Sequence, residues 1–242
     1  MEINIIGSGS IGAISMSAST LIDKKILIDV PNGVVKHIKK LGYNTGEIES
    51  ILITHLHGDH FFDIPFFMLD RYFYKNDNLV NIYCPKGTKE KVKELFNIGF
   101  PGDFDRINDV INVKFIEFDG ESKIEGKNFE AYSKYVEHGK FKSAYGYIVN
   151  INNKKIGFSG DSKLCNAILE IVSKTDISIL DMSHAQNVSD SHMGVEDIKY
   201  LCNKYKNKTI VSTHMHEYTK EQALNLNIKN FIVGEDNLKI SI

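Results

Sequence analysis

The feature that most constrains this chain is a cluster of ligand-type side chains at the end of an apolar run. Residues 51–53 (Ile-Leu-Ile) lead directly into the segment THLHGDH, which contributes His55, His57, Asp59 and His60. The pattern predicts a buried strand that delivers these side chains into a loop, a common place for chemistry in α/β proteins. Imidazole and carboxylate groups bind zinc, iron or manganese. Four such groups exceed what one tetrahedral ion needs from a single loop. The spacing therefore predicts two adjacent ions, with His55 and His57 on one and Asp59 and His60 on the other.

A solvated histidine-rich loop or a pH-sensitive patch is the alternative interpretation of this segment. The apolar strand before it and the glycine turn at Gly58 favour the metal interpretation.

Length and composition leave the class of protein open but exclude some options. A chain of 242 residues suits one large domain or two small ones. With 42% hydrophobic and 25% charged residues, it is globular in composition. A net charge of −2 shows none of the overall excess of basic residues that is typical of nucleic-acid-binding proteins. The lysines are unevenly placed, so a local basic patch is still possible.

Cysteine usage and the absence of long apolar runs indicate the compartment. The three cysteines, Cys84, Cys165 and Cys202, are odd in number, far apart and without CxxC spacing, which predicts free thiols in a reducing environment. The first residues lack the features of a signal peptide, and no apolar run has the length of a membrane span. We therefore expect a cytoplasmic protein without a membrane partner.

The glycine-rich segment near the start permits a second interpretation. Gly7, Gly9 and Gly12 formally match GxGxxG, but a dinucleotide site needs a helix that begins there. Residues 14–19 instead alternate apolar and small polar side chains, which is a strand period. A Gly/Ser turn between two strands is favoured. Asp29 lies close to where a ribose-binding acid would stand, so the nucleotide alternative stays open.

Three more ligand-type residues follow predicted strands. His138, Asp161 and His214 come shortly after apolar or alternating segments, as His55 does. Strand ends of this kind are good positions for ligands. The alternative for Asp161 is a helix N-cap, because a helix is predicted over 164–173.

The string HLHGDHFFDIP at 55–65 resembles the signature of the metallo-β-lactamase superfamily, and in particular its ribonuclease Z and phosphodiesterase branch. Residues 136–147, 158–162 and 191–215 resemble later motifs of that branch. The resemblance implies a four-layer αββα sandwich of two mixed β-sheets flanked by helices, with residues 1–242 as a single hydrolase domain. Members of the superfamily often form homodimers, and nothing in the sequence fixes the oligomeric state.

The resemblance also implies roles for individual residues. It gives Asp161 the position of a ligand shared by two divalent ions and places Asp59 among both the ligands and the catalytic residues. It gives His192 a role in proton donation rather than metal binding, the alternative being a polar residue at a helix start. Asp29 matches an acid that orients a ligand histidine, the alternative being a turn-forming aspartate. The predicted ligands are His55, His57, Asp59, His60, His138, Asp161 and His214.

The chemistry expected of such a site is metal-dependent hydrolysis. Two ions can share a metal-bound hydroxide that is nucleophilic at neutral pH. A proton from His192 would help an alkoxide leave, typically by about 10²–10⁴-fold. That need fits phosphodiesters better than β-lactams. Zinc is the favoured metal, with manganese or iron as alternatives.

The predicted substrate is a small or cyclic phosphodiester or a nucleic-acid end. Only a hairpin separates His138 from Asp161, which leaves no room for the Gly/Pro-rich arm with which ribonuclease Z grips tRNA. A tRNA 3′-processing endoribonuclease without that arm remains an alternative, as does a lactone or thioester hydrolase. A non-catalytic nucleotide- or metal-binding module is the alternative outside enzymes.

Overall fold

The computed structural model describes residues 1–186 and 189–242, which form two β-sheets with helices on their outer faces. The strands are, in chain order, β1 (Glu2–Gly7), β2 (Ser19–Ile22), β3 (Ile26–Ile28), β4 (Ser50–Leu52), β5 (Val80–Pro85), β6 (Val113–Phe118), β7 (Lys123–Gly126), β8 (Phe129–Tyr135), β9 (Tyr145–Ile151), β10 (Lys154–Phe158), β11 (Ile177–Asp181), β12 (Thr209–Thr213), β13 (Phe231–Val233) and β14 (Leu238–Ser241). The helices are α1 (Val34–Lys40), α2 (Gly58–Phe61), α3 (Ile64–Phe73), α4 (Thr88–Gly99), α5 (Phe104–Ile111), α6 (Asn166–Lys174), α7 (Val195–Lys204) and α8 (Glu217–Leu224), with one 3₁₀ turn at Thr45–Glu47.

Each sheet has seven strands and mixes parallel with antiparallel pairs. The first has the order β14-β1-β2-β3-β4-β5-β6 and the second β13-β12-β11-β10-β9-β8-β7. The strands β3 to β6 run parallel in the first sheet, and β10 to β13 run parallel in the second. In each sheet the remaining neighbours pair antiparallel.

Three apolar clusters hold these layers together. Alternation along the strands sends neighbouring side chains to opposite faces, as for Ile51 and Leu52. Ile51 packs under α1, α3, α4 and α5, whereas Leu52 packs between the two sheets. Leu180 of the second sheet packs under α6 and α7. The four-layer αββα arrangement is therefore confirmed, whereas one hydrolase domain over residues 1–242 stays a prediction.

The strand β4 before the site and the hairpin β9–β10 agree with the sequence-based predictions, whereas other elements differ. The hairpin β9–β10 turns at Asn152 and Asn153, which both adopt positive φ as a two-residue turn requires. The strand predicted over 14–19 was wrong, since β2 begins only at Ser19. The helix predicted over 164–173 begins instead at Asn166.

The predictions missed several elements, among them the short helix α2 in the segment that was predicted as a loop. No helix was predicted after the turn-forming residues Pro101 and Gly102, yet α5 begins at Phe104 and buries Phe104, Ile107 and Ile111 at helical spacing. The short strand β7 was missed as well. Within the described ranges, no helix is both long enough and apolar enough to cross a lipid bilayer.

Candidate metal centre

The candidate metal centre lies where strands from both sheets end next to each other. The loop and short helix after β4 carry the cluster from His55 to His60, the loop after β8 carries His138, and the loop after β10 carries Asp161. His214 comes directly after β12. All seven predicted ligands meet at this edge, and all except His57 are buried.

The first set of donors is His55, His57 and His138. The His57 Nδ1 atom lies 3.1 Å from the Nε2 atoms of both His55 and His138. Three nitrogen ligands at about 2.05 Å from a tetrahedral ion are about 3.3 Å apart. The three rings therefore converge at the spacing that a shared zinc-type ion requires.

The second set of donors is Asp59, His60 and His214. The Asp59 Oδ2 atom lies 3.4 Å from His214 Nε2 and 3.7 Å from His60 Nε2. The His60 Nε2 atom is buried and has no hydrogen-bond partner among the described residues. A buried nitrogen of this kind needs a partner, and a metal ion fits its position among acidic and imidazole groups.

Asp161 lies between the two sets. Its Oδ2 atom is 3.4 Å from the Nε2 atoms of both His60 and His214 and 3.7 Å from His55 Nε2. Burial alone would raise the pKa of Asp161, but His214 and His60 outweigh it and hold that pKa well below its usual range. The alternative role as a helix N-cap is wrong, because α6 begins at Asn166.

Backbone conformation places this carboxylate. Gly160 precedes it with φ of 57°, in the left-handed region that favours glycine. A Cβ atom at Gly160 would lie 2.7 Å from the Tyr145 carbonyl oxygen and 3.1 Å from Thr54 Cβ. The chain therefore passes too close to the motif-bearing loop for any side chain at this position.

Asp29, directly after β3, contacts His60 of the second donor set and Thr54, the neighbour of His55 in the first. One of its oxygens, Oδ2, lies 2.9 Å from His60 Nδ1 and accepts a hydrogen bond from Thr54 Oγ1 at 2.8 Å. Its Oδ1 atom accepts from the Thr54 backbone N–H. The structure thus places Asp29 as the acid that orients His60, and the turn-only interpretation is insufficient.

Hydrogen bonds on the far side of each ring fix which nitrogen faces the centre. His138 Nδ1 donates to the Ser191 carbonyl at 2.9 Å. His55 Nδ1 lies 3.0 Å from Thr54 Oγ1, whose only proton goes to Asp29, so His55 is the donor. In both residues the Nε2 lone pair is left to face the candidate metal position.

Asp181 and Ser183 are site residues that sequence reasoning did not assign. Asp181 Oδ2 lies 2.8 Å from His192 Nδ1, and Ser183 Oγ donates to Asp181 Oδ1 at 2.8 Å. Ser183 Oγ also lies 2.7 Å from His214 Nδ1 and accepts from it. One buried carboxylate therefore orients both His192 and His214. The signal was present, because Asp181 ends an apolar strand as the assigned ligands do.

His192 stands beside the donor sets. Burial lowers its pKa, but Asp181 outweighs this effect and raises the pKa above the usual histidine value. Asp181, Asp161, His192 and His214 also present atoms within 4.8 Å of one another. Since Asp181 already accepts hydrogen bonds from His192, Ser183 and the Ser162 backbone N–H, we assign Asp181 as the residue that orients His192 and His214 rather than as a metal ligand.

The glycine-rich segment near the start has a structural role at the rim. No helix begins within residues 7–12, so a dinucleotide site there is wrong. Cβ atoms at Gly7 and Gly9 would lie 2.1 and 2.7 Å from the carbonyl oxygens of Ser17 and Ser15, so both glycines are required by close packing. The loop is fixed to the end of β12, since Ser10 N–H donates to the Met215 carbonyl at 3.1 Å.

Comparisons with known proteins agree with this fold. A family model described as "Anti-Pycsar protein Apyc1" matches residues 1–236. Ribonuclease Z from Pyrococcus abyssi (strain GE5 / Orsay) is 29% identical over 134 residues, which cover 55% of this chain and 41% of the relative. The chain thus spans about two fifths of the length of that curated relative.

Solved structures show the same arrangement of sheets. The structure of human tRNase Z, short form, superposes with a TM-score of 0.79 at 17% identity, covering 100% of this chain and 99% of that one. A diphosphatase of the PhnP family gives a TM-score of 0.75 at 20% identity, with 100% and 97% covered. The prediction of a metallo-β-lactamase fold related to ribonuclease Z is confirmed. Because the family match extends over nearly its whole length, the chain belongs to the Apyc1 anti-Pycsar protein family.

Proposed function

We propose that this protein is a dinuclear metal-dependent phosphodiesterase that acts on a small or cyclic phosphodiester, such as a cyclic nucleotide, or on a nucleic-acid end. The observation that carries the proposal is the Asp161 carboxylate, whose Oδ2 atom lies within 3.7 Å of nitrogens from both donor sets. A carboxylate can bind one ion with each oxygen. Asp161 would therefore contribute to both ions if each donor set held one, which is the arrangement that two-metal hydrolases use.

The residues present fit two divalent ions. His55, His57 and His138 would hold the first ion, Asp59, His60 and His214 the second, and Asp161 both. The buried Nε2 atom of His60, which has no hydrogen-bond partner in the described part of the chain, supports this assignment. Such ions supply a nucleophile at neutral pH and stabilise negative charge on phosphoryl oxygens. We propose zinc, because imidazole and carboxylate donors at these spacings suit it, and manganese or iron fit the same donors.

Two side chains would transfer protons during the reaction. Asp59 is the carboxylate that we place to orient the attacking water and accept its proton. His192 is held through Nδ1 by Asp181, so its Nε2 nitrogen is the one that would donate a proton to the leaving alkoxide. The raised pKa of His192 supports this role, because it keeps more of the imidazole protonated near neutral pH.

The short connection between motifs supports a small substrate. Only the hairpin β9–β10 lies between His138 and Asp161, so this part of the chain carries no arm for a folded RNA. The names of the relatives, ribonuclease Z and a diphosphatase, favour phosphoester chemistry over lactone or thioester hydrolysis. A tRNA 3′-processing activity is the second candidate, favoured by the ribonuclease Z relatives.

The test combines metal analysis with a substrate panel. Protein loaded with zinc or manganese is offered cyclic nucleotides, bis(p-nitrophenyl) phosphate, a 3′-extended tRNA, a lactone and a thioester. We expect about two metal ions per chain and hydrolysis of the phosphodiesters, with cyclic nucleotides preferred over the tRNA. Hydrolysis of the thioester or lactone alone, or a metal content near zero, would overturn the proposal.

Homodimer formation stays a prediction. The exposed aromatic side chains Phe73 and Tyr74, at the end of α3, are 73% and 71% exposed and are a surface that self-association would bury. Light scattering of the purified full chain measures the oligomeric state, and a mass of 27.4 kDa would contradict a dimer.

A further inference from the structure

The turn of residues 139–142 lies between the first donor set and the loop that carries His192. It follows His138 directly, and the Phe141 N–H donates to the His138 carbonyl at 2.9 Å. Gly139 adopts φ of 53° and donates its N–H to the Asp190 carbonyl at 3.2 Å. The 139–142 turn is therefore fixed at the rim of the site by contacts on both sides.

The aromatic side chain of the turn forms one wall of the first donor set. The Phe141 ring centroid lies 4.6 Å from that of His57 and 5.6 Å from that of His55. Phe141 is half-buried, so part of its ring faces outward beside the candidate metal position. An aromatic ring at this place offers a surface on which a planar group of the substrate can stack.

Exposed lysines flank Phe141 in the sequence. Lys140 and Lys142 are exposed, and their ammonium groups form no ion pair within the described part of the chain. The neighbouring carboxylate of Glu137 is already paired with Lys163 at 2.8 Å, and the exposed Asp190 lies beside Gly139 of the turn. In a protein of net charge −2, the turn thus presents local positive charge at the mouth of the site.

We propose that the 139–142 turn is the substrate-recognition element of this site, with the Lys140 and Lys142 ammonium groups attracting the anionic phosphodiester and the Phe141 ring stacking on its base. The inference rests on the proposed phosphodiesterase function and narrows its substrate class to nucleotides. Positive charge beside a cleft raises the association rate of an anionic substrate, and salt screens that effect. Stacking on an aromatic ring accepts every base and so confers a preference for nucleotides rather than for one sequence.

The lysines are tested with a double substitution. K140Q/K142Q is compared with K206Q/K229Q. The control pair removes two exposed lysines just before the N-terminal ends of β12 and β13, whereas the site lies at the C-terminal end of β12. We expect K140Q/K142Q to lower kcat/KM for a cyclic nucleotide by about 5–50-fold at low salt, with kcat and metal content unchanged. The loss shrinks at high salt. A kcat/KM and a salt dependence equal to those of the control pair would overturn the role of the lysines.

The ring is tested with two esters that share a leaving group. Thymidine 5′-(p-nitrophenyl) phosphate carries a base, and methyl p-nitrophenyl phosphate does not, while both are monoanions. We expect F141L to raise KM about 5–100-fold for the thymidine ester alone, and F141Y to restore it. An equal effect on both esters, or a loss of bound metal, would show that Phe141 only supports the histidines and would overturn its recognition role.

A binding measurement separates this inference from the proposed function. If the native, zinc-loaded protein hydrolyses no phosphodiester, the proposed function fails, and calorimetric titration with thymidine 5′-monophosphate still tests the turn. Weaker binding to K140Q/K142Q and to F141L than to K206Q/K229Q supports the recognition element. Equal dissociation constants for all these variants would overturn it.

Discussion

The two donor sets of the candidate centre differ in what holds their histidines. In the first set, His55 and His138 donate to the Thr54 hydroxyl and the Ser191 carbonyl, which are uncharged. In the second set, His60 is held by the carboxylate of Asp29, and His214 reaches that of Asp181 through Ser183. Imidazole rings in neighbouring positions are therefore held by uncharged groups in the first set and by carboxylates in the second.

The difference appears in the basicity of the rings without metal. Burial lowers the pKa of His55 well below the usual value and lowers that of His57 too. Burial also lowers the pKa of His60 and His214, but nearby carboxylates outweigh burial. Asp161 and Asp29 raise the pKa of His60 well above its usual value. Asp161 and Asp181 raise that of His214 to about 10. His55 and His57 are therefore ready for an ion at neutral pH, whereas His60 and His214 must release protons before they bind one.

The largest effect is expected where the two sets join. Asp161→Asn removes one charge from both sets, so we expect the second ion to be lost and kcat to fall by at least about 10³-fold, since each ion stabilises transition-state charge by several kcal/mol. Metal analysis and steady-state kinetics measure both quantities. The matched control is Asp109→Asn, at an exposed position on α5. Retention of two ions with normal kcat would break the proposed bridge.

The next effect concerns the histidine that shares Asp181 with the second set. His192→Gln removes the proposed proton donor, so we expect kcat to fall about 10²–10⁴-fold for an ester with an alkoxide leaving group. The loss is smaller for a p-nitrophenyl ester, whose leaving group needs no proton. Kinetics on the two esters measure the ratio, and an equal loss on both would instead assign His192 a structural role.

A smaller effect sharpens the contrast in orienting groups. We expect Asp29→Asn to weaken binding of the second ion by about 10–100-fold, because it removes the carboxylate behind His60. Thr54→Val removes an uncharged partner of His55, and the loss in affinity is expected to be smaller. Competition with a chromophoric chelator measures both constants. A larger loss for Thr54→Val than for Asp29→Asn would contradict the comparison.

The smallest effect is a pH dependence of the metal-free protein. The folded-state pKa of His214 is raised to about 10, above the unfolded value near 6.5, so its contribution to the free energy of unfolding is fully present below about pH 6.5. That contribution is lost as the pH rises toward 10. Urea unfolding at several pH values measures this loss. Loading with zinc should remove the dependence and release protons, which calorimetry in buffers of different ionisation enthalpy detects.

The sequence predicted most of the centre because its ligands follow strands. His55, His57, Asp59 and His60 are local in sequence, and the loop after one buried strand determines where they lie. His138, Asp161 and His214 were identified from strand ends and from the resemblance. The fold was predicted from the same motifs rather than from periodicity.

What the sequence did not reveal depends on contacts between distant segments. Ser183 and Asp181 reach His214 only because β11 and β12 lie side by side, a pairing of strands that no local pattern indicates. The contact between Phe141 and His57 joins segments 84 positions apart, so spacing could not predict it. The helix α5 was missed because the turn signals at Pro101 and Gly102 dominate its start.

Gly160 has a consequence for variants of this chain. The site tolerates no added methyl group there, since the Tyr145 carbonyl and Thr54 already fill the space on either side. Alanine at residue 160 would push the following carboxylate out of reach of one half of the centre while leaving every donor in the sequence. We expect Gly160→Ala to retain a single ion. The absence of a Cβ atom at residue 160 would then determine whether the centre holds one cation or two.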